Sequence, residues 1–195
     1  MTAQPASRQR WLVPVLVVVV SVTVGGGLLA RELYRRPQAS PSEPIVVATS
    51  TAPLSPAQEP GPDKVGVTPQ AAMHPQDDAV RNVLQTYFDS INTRDYKKWS
   101  TVVSNARRAA QPYDTWNKGV RSSKDGSILV YRIEAGAQNS LRVLVGFTST
   151  QNVEDAPEWI QATCIHWRLM FPMVIEGNGF KIDKTDEQHP DADKC

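Results

Sequence analysis

The sequence lacks an excess of charge of either sign, and it has few residues that bind metal ions. Its net charge is +1, from 21 basic and 20 acidic side chains, whereas nucleic-acid-binding domains normally show a basic excess. Its two cysteines and three histidines do not form the spaced pairs of a metal site, since His166 lies next but one to Cys164 and no second pair follows. The sequence therefore predicts no nucleic-acid partner, no metal and no cofactor.

Charged residues are absent from Trp11 to Ala30. This segment reads WLVPVLVVVVSVTVGGGLLA. Twenty residues at a helical rise of about 1.5 Å per residue span ~30 Å, the thickness of a bilayer's hydrocarbon core. A cleaved signal peptide is the alternative, but no small-x-small cleavage site precedes the arginines that follow. We expect an uncleaved single-pass anchor that binds the membrane and follows a short cytoplasmic tail at 1–10.

Arginines flank the expected anchor on both sides, at Arg8 and Arg10 and again at Arg31, Arg35 and Arg36. Charge alone therefore does not orient it. The short N-terminal tail, the proline-rich stretch and the even number of cysteines favour an extracytoplasmic C-terminal domain. The expected location is the cell membrane.

Aromatic residues are absent between Tyr34 and Tyr87, while nine of the 15 prolines fall within 37–75. Such a segment buries too little apolar surface to offset the entropy lost on ordering. We therefore predict a disordered Pro/Ser/Thr-rich linker over 31–75. Its role would be to let the folded domain reach away from the anchor. A proline motif for protein binding and an O-glycosylated stalk are the alternatives.

Helical periodicity begins after residue 75. The first predicted helix starts near Asp77 and Asp78, which are placed to cap and charge it, and its apolar face consists of Val80, Val83, Leu84, Tyr87, Phe88 and Ile91. A second helix is predicted over 94–103 with Tyr96, Trp99, Val102 and Val103 inward. A third is predicted over 113–120, after Pro112 and capped by Asp114.

The apolar period falls to two beyond residue 126, which predicts strands. The first has Leu129, Tyr131 and Ile133 on one face, and the second has Leu141, Val143, Val145 and Phe147. A longer strand over 159–173, bent or ended by Pro172, carries Trp159, Gln161, Thr163, Ile165, Trp167, Leu169 and Phe171 on one face. A turn at 177–179 leads to a short strand at 180–182. The expected fold is α+β, with helices packed on one face of a curved antiparallel sheet.

Two segments resemble a known family. YFDSINTRDYKKW at 87–99 is similar to the opening helices of nuclear transport factor two-like (SnoaL-like, cystatin-like cone) domains, and WRLMFPMVIEGNGFKIDK at 167–184 is similar to their closing hairpin. The resemblance covers 76–187 and leaves 188–195 as a C-terminal tail. It implies a cone-shaped fold but no particular activity, because this fold hosts enzymes, ligand binders and scaffolds.

The anchored layout is similar to that of two bacterial groups. One comprises inner-membrane scaffold components of type IV secretion, and the other comprises actinobacterial membrane proteins associated with mammalian-cell-entry lipid transporters. By this resemblance the domain would lie in the bacterial cell envelope.

The cone-fold isomerases and cyclases place an acid and a polar partner in an apolar cavity, where burial raises the carboxyl pKa. The residues considered for such a role are Tyr87, Asp89, Tyr96, Asp114, Tyr131 and His166. No two acids fall on one inward face, so we predict no catalytic residue. The expected lining of a ligand pocket is Tyr87, Trp99, Tyr131, His166 and Trp167.

The two cysteines, Cys164 within the long strand and Cys195 at the end of the sequence, are expected to form a disulfide outside the cytoplasm. The predicted strand pairing brings the C-terminal tail back towards Cys164. A buried Cys164 and a free terminal thiol are the alternative.

Two functions of different classes follow. The first is a non-enzymatic interaction or scaffold module of the cell envelope, which binds envelope proteins or itself. The second is a cone that binds a small apolar ligand or lipid, with or without weak isomerase-like or cyclase-like activity. An open pocket with an inward acid would favour the second, and a pocket closed by its aromatic residues would favour the first.

Overall fold

The computed structural model describes residues 54–185 and 190–195. The predicted tail at 1–10, the anchor at 11–30 and the linker up to residue 53 lie outside the described residues. None of the helices in the described part of the chain combines the length and hydrophobicity needed for a bilayer crossing.

The described residues form an α+β domain, as the sequence predicts. Its helices are α1 (Pro69–Ala72), α2 (Asp77–Thr93), α3 (Tyr96–Ser100), α4 (Asn105–Ala110) and α5 (Tyr113–Val120). Its strands are β1 (Gly66–Val67), β2 (Lys124–Ala135), β3 (Leu141–Thr150), β4 (Cys164–Glu176), β5 (Gly179–Ile182) and β6 (Asp191–Lys194).

The sheet is mostly antiparallel, with the order β1-β2-β3-β4-β5. Only the β1–β2 pair is parallel among the described strands. Strand β6 pairs with the first part of β4 and β5 pairs with its last part, so both lie on the edge of β4 that faces away from β3. The helices pack against one face of this sheet through a single core cluster.

Helix α2 supplies the largest apolar face of that core. Its buried side chains include Val80, Leu84, Tyr87, Phe88 and Ile91, each of which stabilises the fold by roughly 1.5–3 kcal/mol. The first turn carries Asp77 and Asp78, but neither caps the helix, because the N-cap residue is Gln76 and its side chain makes no capping hydrogen bond. Both carboxylates instead pair with Arg81.

The second predicted helix, over 94–103, is shorter in the structure. Arg94 adopts a left-handed conformation with φ 58°, which ends α2 and delays the next helix. The Asp95 carboxylate then accepts a hydrogen bond of 2.8 Å from the Lys98 amide and caps α3. Helix α5 has the predicted bounds, but its N-cap is Pro112 and Asp114 makes no capping hydrogen bond.

Two register shifts in β2 change the inward face from the predicted one. They lie between Gly126 and Leu129 and between Val130 and Arg132, where extra residues bulge and bend the strand. The buried residues of β2 are Asp125, Gly126, Ile128, Val130 and Ile133. The prediction that Leu129, Tyr131 and Ile133 share one face is therefore wrong. Each bulge adds one residue, so the side chains after it point to the opposite face from the one that strict alternation predicts.

The long strand starts at Cys164 rather than at 159, and it runs through Pro172 to Glu176. Pro172 does not end it, because its carbonyl accepts a hydrogen bond from the Asp183 amide on the β5 side. The nitrogen and carbonyl of one strand residue point the same way, so the missing N–H of Pro172 costs no bond to β3.

The folded domain also begins earlier than the predicted boundary at 75. Val65, Val67 and Ala71 are buried in the main core, and the Thr68 hydroxyl accepts from the Ala71 amide to cap α1. Composition averaged over the proline-rich segment hides these few apolar positions. A β1 of two residues gives no periodicity from which a strand could be predicted.

The predicted disulfide is present. The Cys164 and Cys195 sulfurs lie 2.09 Å apart, and their Cα atoms lie 5.4 Å apart. Part of the predicted C-terminal tail at 188–195 forms β6, which pairs with β4 from Ile165 to Arg168. The disulfide joins the end of this strand to the start of β4.

Candidate functional site

A pocket of about 360 Å³ lies between the helices and the sheet face that they cover. Its apolar wall comes from α2, β3 and β4 and includes Phe88, Ile91, Phe147, Trp167, Leu169 and Phe171. Its polar lining includes Tyr87, Arg107, Asp125, Ser149 and Asp155. A concave, mainly apolar pocket with a few polar groups is typical of a small-molecule site.

The aromatic side chains of the wall pack against one another without filling the space. Phe147 lies 4.9 Å from Phe88 and 6.3 Å from Trp167, measured between ring centroids. Tyr87 meets Phe171 edge to face at 5.7 Å. These contacts hold the rings in place, so the pocket has rigid walls on both its helix side and its sheet side.

Asp125 is the buried acid of this pocket. It is 5% exposed, and its carboxylate accepts a hydrogen bond of 2.5 Å from the Ser149 hydroxyl, the residue opposite it on β3. The Asn92 side chain brackets its backbone, accepting from the Asp125 amide at 2.7 Å and donating to its carbonyl at 2.9 Å. The end of α2 thus fixes where β2 presents this carboxyl.

Burial raises the pKa of Asp125 to about 6, against the opposing effects of the Ser149 hydrogen bond and the positive charge of Arg94. The cause is desolvation, which disfavours the charged form. A carboxyl that titrates near neutrality can donate a hydrogen bond to a ligand when protonated and accept one when ionised. It can also transfer a proton.

Arg107 supplies the positive charge of the pocket lining. Its guanidinium donates to the Tyr87 hydroxyl and to the Asp183 carbonyl, each at 3.0 Å, and lies 5.3 Å from the centre of the Tyr87 ring. Helix α4, which carries it, is capped by the Ser104 hydroxyl, and Ser104 also bonds the Asp183 carboxylate at 2.5 Å.

Asp155, the second acid in the lining, is held by two neighbours after α5. Arg121 donates to it at 2.6 Å and Ser122 donates at 2.5 Å. The pKa of Asp155 is lowered, chiefly by the Arg121 hydrogen bond and then by that from Ser122. Asp155 therefore stays ionised and engaged, and it does not form an acid–base pair with Asp125.

Of the five predicted pocket residues, the structure brings Tyr87 and Trp167 together in this pocket. Trp99 is fully buried in the core, where its ring stacks on Tyr96 at 5.3 Å. Tyr131 and His166 project from the opposite face of the sheet and line a second, more polar pocket of about 320 Å³.

In that second pocket, the Thr148 hydroxyl bonds His166 Nδ1 at 2.8 Å. The Arg168 guanidinium lies 5.6 Å from the centre of the Tyr131 ring and pairs with Asp191 at 3.7 Å. The charge of Arg168 is thus already matched by an acid within this pocket. Among the described residues, no cluster of histidine, cysteine and acidic side chains could hold a metal ion.

The other acids and the other phenol considered from the sequence lie outside both pockets. The Asp89 carboxylate accepts from Lys98 at 3.0 Å and from Gln85 at 2.8 Å. Tyr96 donates to the Gln111 carbonyl at 3.1 Å, and Asp114 is exposed in the first turn of α5.

Asp125 and Arg107 were not predicted as site residues. The Asp125-Gly126 pair is typical of a turn. The sequence therefore predicts that strands begin after it and does not predict that Asp125 itself is buried. Helix α4 has no buried residue and no apolar face, so no periodicity placed Arg107 beside Tyr87.

No protein-family model matches the chain, and no curated protein matches it either.

Proposed function

We propose that the domain binds a small, mainly apolar ligand in the pocket between α2 and the sheet, with Asp125 as its hydrogen-bonding group. The observation that carries this proposal is the buried Asp125 carboxyl at the wall of an open aromatic pocket. Tyr87 and Trp167 leave the pocket open, which is the arrangement expected of a ligand binder rather than of a closed scaffold.

The energetic cost of Asp125 supports this proposal. A carboxyl whose pKa is raised from 3.8 to about 6 makes folding less favourable above pH 6 by about 3 kcal/mol. An apolar residue at the same place would avoid that cost. Perturbed titratable groups in a cleft are typical of functional sites.

We propose binding without catalysis, because Asp155 is held by Arg121 and Ser122 and the described lining residues offer Asp125 no second free carboxylate. The fold that we propose is a cone of the nuclear transport factor two-like type, an assignment supported by helices packed on a bulged, mostly antiparallel sheet. We place the domain outside the cytoplasm on the predicted anchor, and the Cys164–Cys195 disulfide supports that compartment. The scaffold alternative rests on the anchor and linker, which lie outside the described residues.

Fluorine NMR of the full-length chain labelled with 5-fluorotryptophan tests the binding proposal. The chain has five tryptophans, of which Trp167 lines the pocket while Trp99 and Trp116 lie in the core. Titration with neutral 2-naphthamide is expected to shift the Trp167 resonance to saturation and to leave the other two in place. Because the readout comes from Trp167 alone, uptake of the probe by detergent does not produce the same shift.

The matched variants are Leu169→Gln and Leu144→Gln. Leu169 lines the pocket, while Leu144 is also a half-buried leucine but lies on the other face of the sheet, between the inward Val143 and Val145. Loss of apolar contact should weaken binding about five- to tenfold in Leu169→Gln and leave it unchanged in Leu144→Gln. A Trp167 resonance that does not move, or equal weakening by both variants, would overturn the proposal.

A further inference from the structure

We infer that the ligand of this pocket is a carboxylate carried on a compact, apolar ring body, and that Arg107 beside Tyr87 binds its anionic group. This inference rests on the proposed function, because it names the class of ligand for the same pocket. It adds a second polar contact, at a residue other than Asp125.

The Arg107 guanidinium is held in a fixed orientation. The Asp183 carbonyl and the Tyr87 hydroxyl each accept one of its hydrogen bonds, and the Tyr87 ring lies against the planar group. A guanidinium has five N–H donors in a planar fork. These two contacts orient the fork and leave donors for a planar, bidentate acceptor, for which a carboxylate is the matching group.

The charge of Arg107 has no acidic partner among residues 54–185 and 190–195, since its hydrogen bonds go to a neutral phenol and a neutral carbonyl. Some other cations of the domain do pair with carboxylates, among them Lys98 with Asp89, Arg121 with Asp155, and Arg168 with Asp191. Arg107 is half-buried at the wall of an apolar pocket. There an anion gains more from a charge-assisted hydrogen bond than it does in water.

The rest of the pocket defines the body of the ligand. Its aromatic walls, which include Phe88, Phe147 and Trp167, favour flat rings. A pocket of about 360 Å³ with these aromatic walls suits a short fused-ring body better than a long acyl chain.

The test compares two probes that differ only in charge. 2-Naphthoate and 2-naphthamide share one ring system, but only the first is an anion. Both are titrated into the full-length, 5-fluorotryptophan-labelled chain while the Trp167 resonance is followed. Wild-type protein is expected to bind 2-naphthoate about tenfold more tightly than the amide, as a charge-assisted hydrogen bond would produce.

Variants of two adjacent arginines assign that preference to a residue. Arg107→Gln should remove it, and Arg107→Lys should keep only part of it, because lysine retains the charge without the fork. Arg108→Gln is the matched control, since Arg108 is exposed and its side chain bonds Asn105. Unchanged Trp99 and Trp116 resonances confirm that each variant is folded, and comparing ratios between variants cancels any partitioning of the probes into detergent.

The outcomes separate this inference from the proposed function. If 2-naphthamide binds and 2-naphthoate binds no more tightly, the carboxylate inference is overturned and the pocket proposal stands. A preference that survives in Arg107→Gln also overturns the inference. If neither probe moves the Trp167 resonance, the proposed function fails and the inference fails with it.

Discussion

Ser149 donates a hydrogen bond of 2.5 Å to the carboxylate of Asp125 from the opposite position on the neighbouring strand. Both side chains are buried, at 6% and 5% exposure. This hydroxyl is thus the neighbour that most favours the ionised form of an acid that burial would otherwise keep protonated.

Replacing Ser149 with alanine should raise the pKa of Asp125 above its value of about 6. The free energy of unfolding should fall by about 1–3 kcal/mol above pH 7, where the charged carboxylate loses its donor. Carbon-13 NMR of the aspartate carboxyls measures the titration, and urea unfolding measures the stability. An Asp125 pKa that stays constant or falls would show that the hydrogen bond does not stabilise the ionised form.

Replacing Asp125 with asparagine should make the folded domain more stable at pH 7 than the wild type. The folded-state pKa, about 6, lies above the unfolded value of 3.8, so the native state binds more protons between these values. Wild-type stability therefore falls as pH rises through this window and is level above it. Asparagine does not titrate, so its gain of up to about 3 kcal/mol at pH 7 should disappear near pH 3.

Urea unfolding of the full-length chain, followed through the buried Trp99, measures both profiles. A variant that is less stable than wild type at every pH would show that the charge of Asp125 does not destabilise the folded domain. If the proposed function holds, the same variant should also change the affinity for 2-naphthamide, because asparagine replaces the proposed hydrogen-bonding carboxyl.

Helix α2 and strand β3 could be predicted from the sequence because each repeats its apolar residues at one constant period. The inward face of β2 could not, since two bulges reverse its alternation. The inward position of Asp125 depends on the first bulge, because Asp125 and the buried Ile128 share a face only when an extra residue lies between them. Side-chain pairs such as Arg107 with Tyr87 join residues 20 positions apart on different helices, and no local pattern predicts such a contact.

Replacing Cys195 with serine should detach β6 from β4. The cysteines are 31 residues apart, so loss of the bond should lower the free energy of unfolding by about 3–4 kcal/mol in the chain-entropy account. Hydrogen exchange is expected to speed up at 191–195 and to remain slow in α2. Reduction of the wild type with dithiothreitol should have the same effect, whereas equal stability with and without reductant would show that the disulfide adds nothing to the fold.

Replacing Gly146 with alanine should destabilise the domain by about 1–3 kcal/mol through overpacking. A Cβ atom at this position would lie 2.6 Å from Cε2 of the Tyr131 ring, which covers the glycine on the outer face of the sheet. Gly179→Ala is the control, because no atom lies within 4 Å of its added Cβ. If the clash is the cause, Tyr131→Ala should recover most of the loss when combined with Gly146→Ala, and urea unfolding of the two single variants and the double variant measures this coupling. Additive losses would instead show that Gly146 is needed for its backbone and not for the space that Tyr131 occupies.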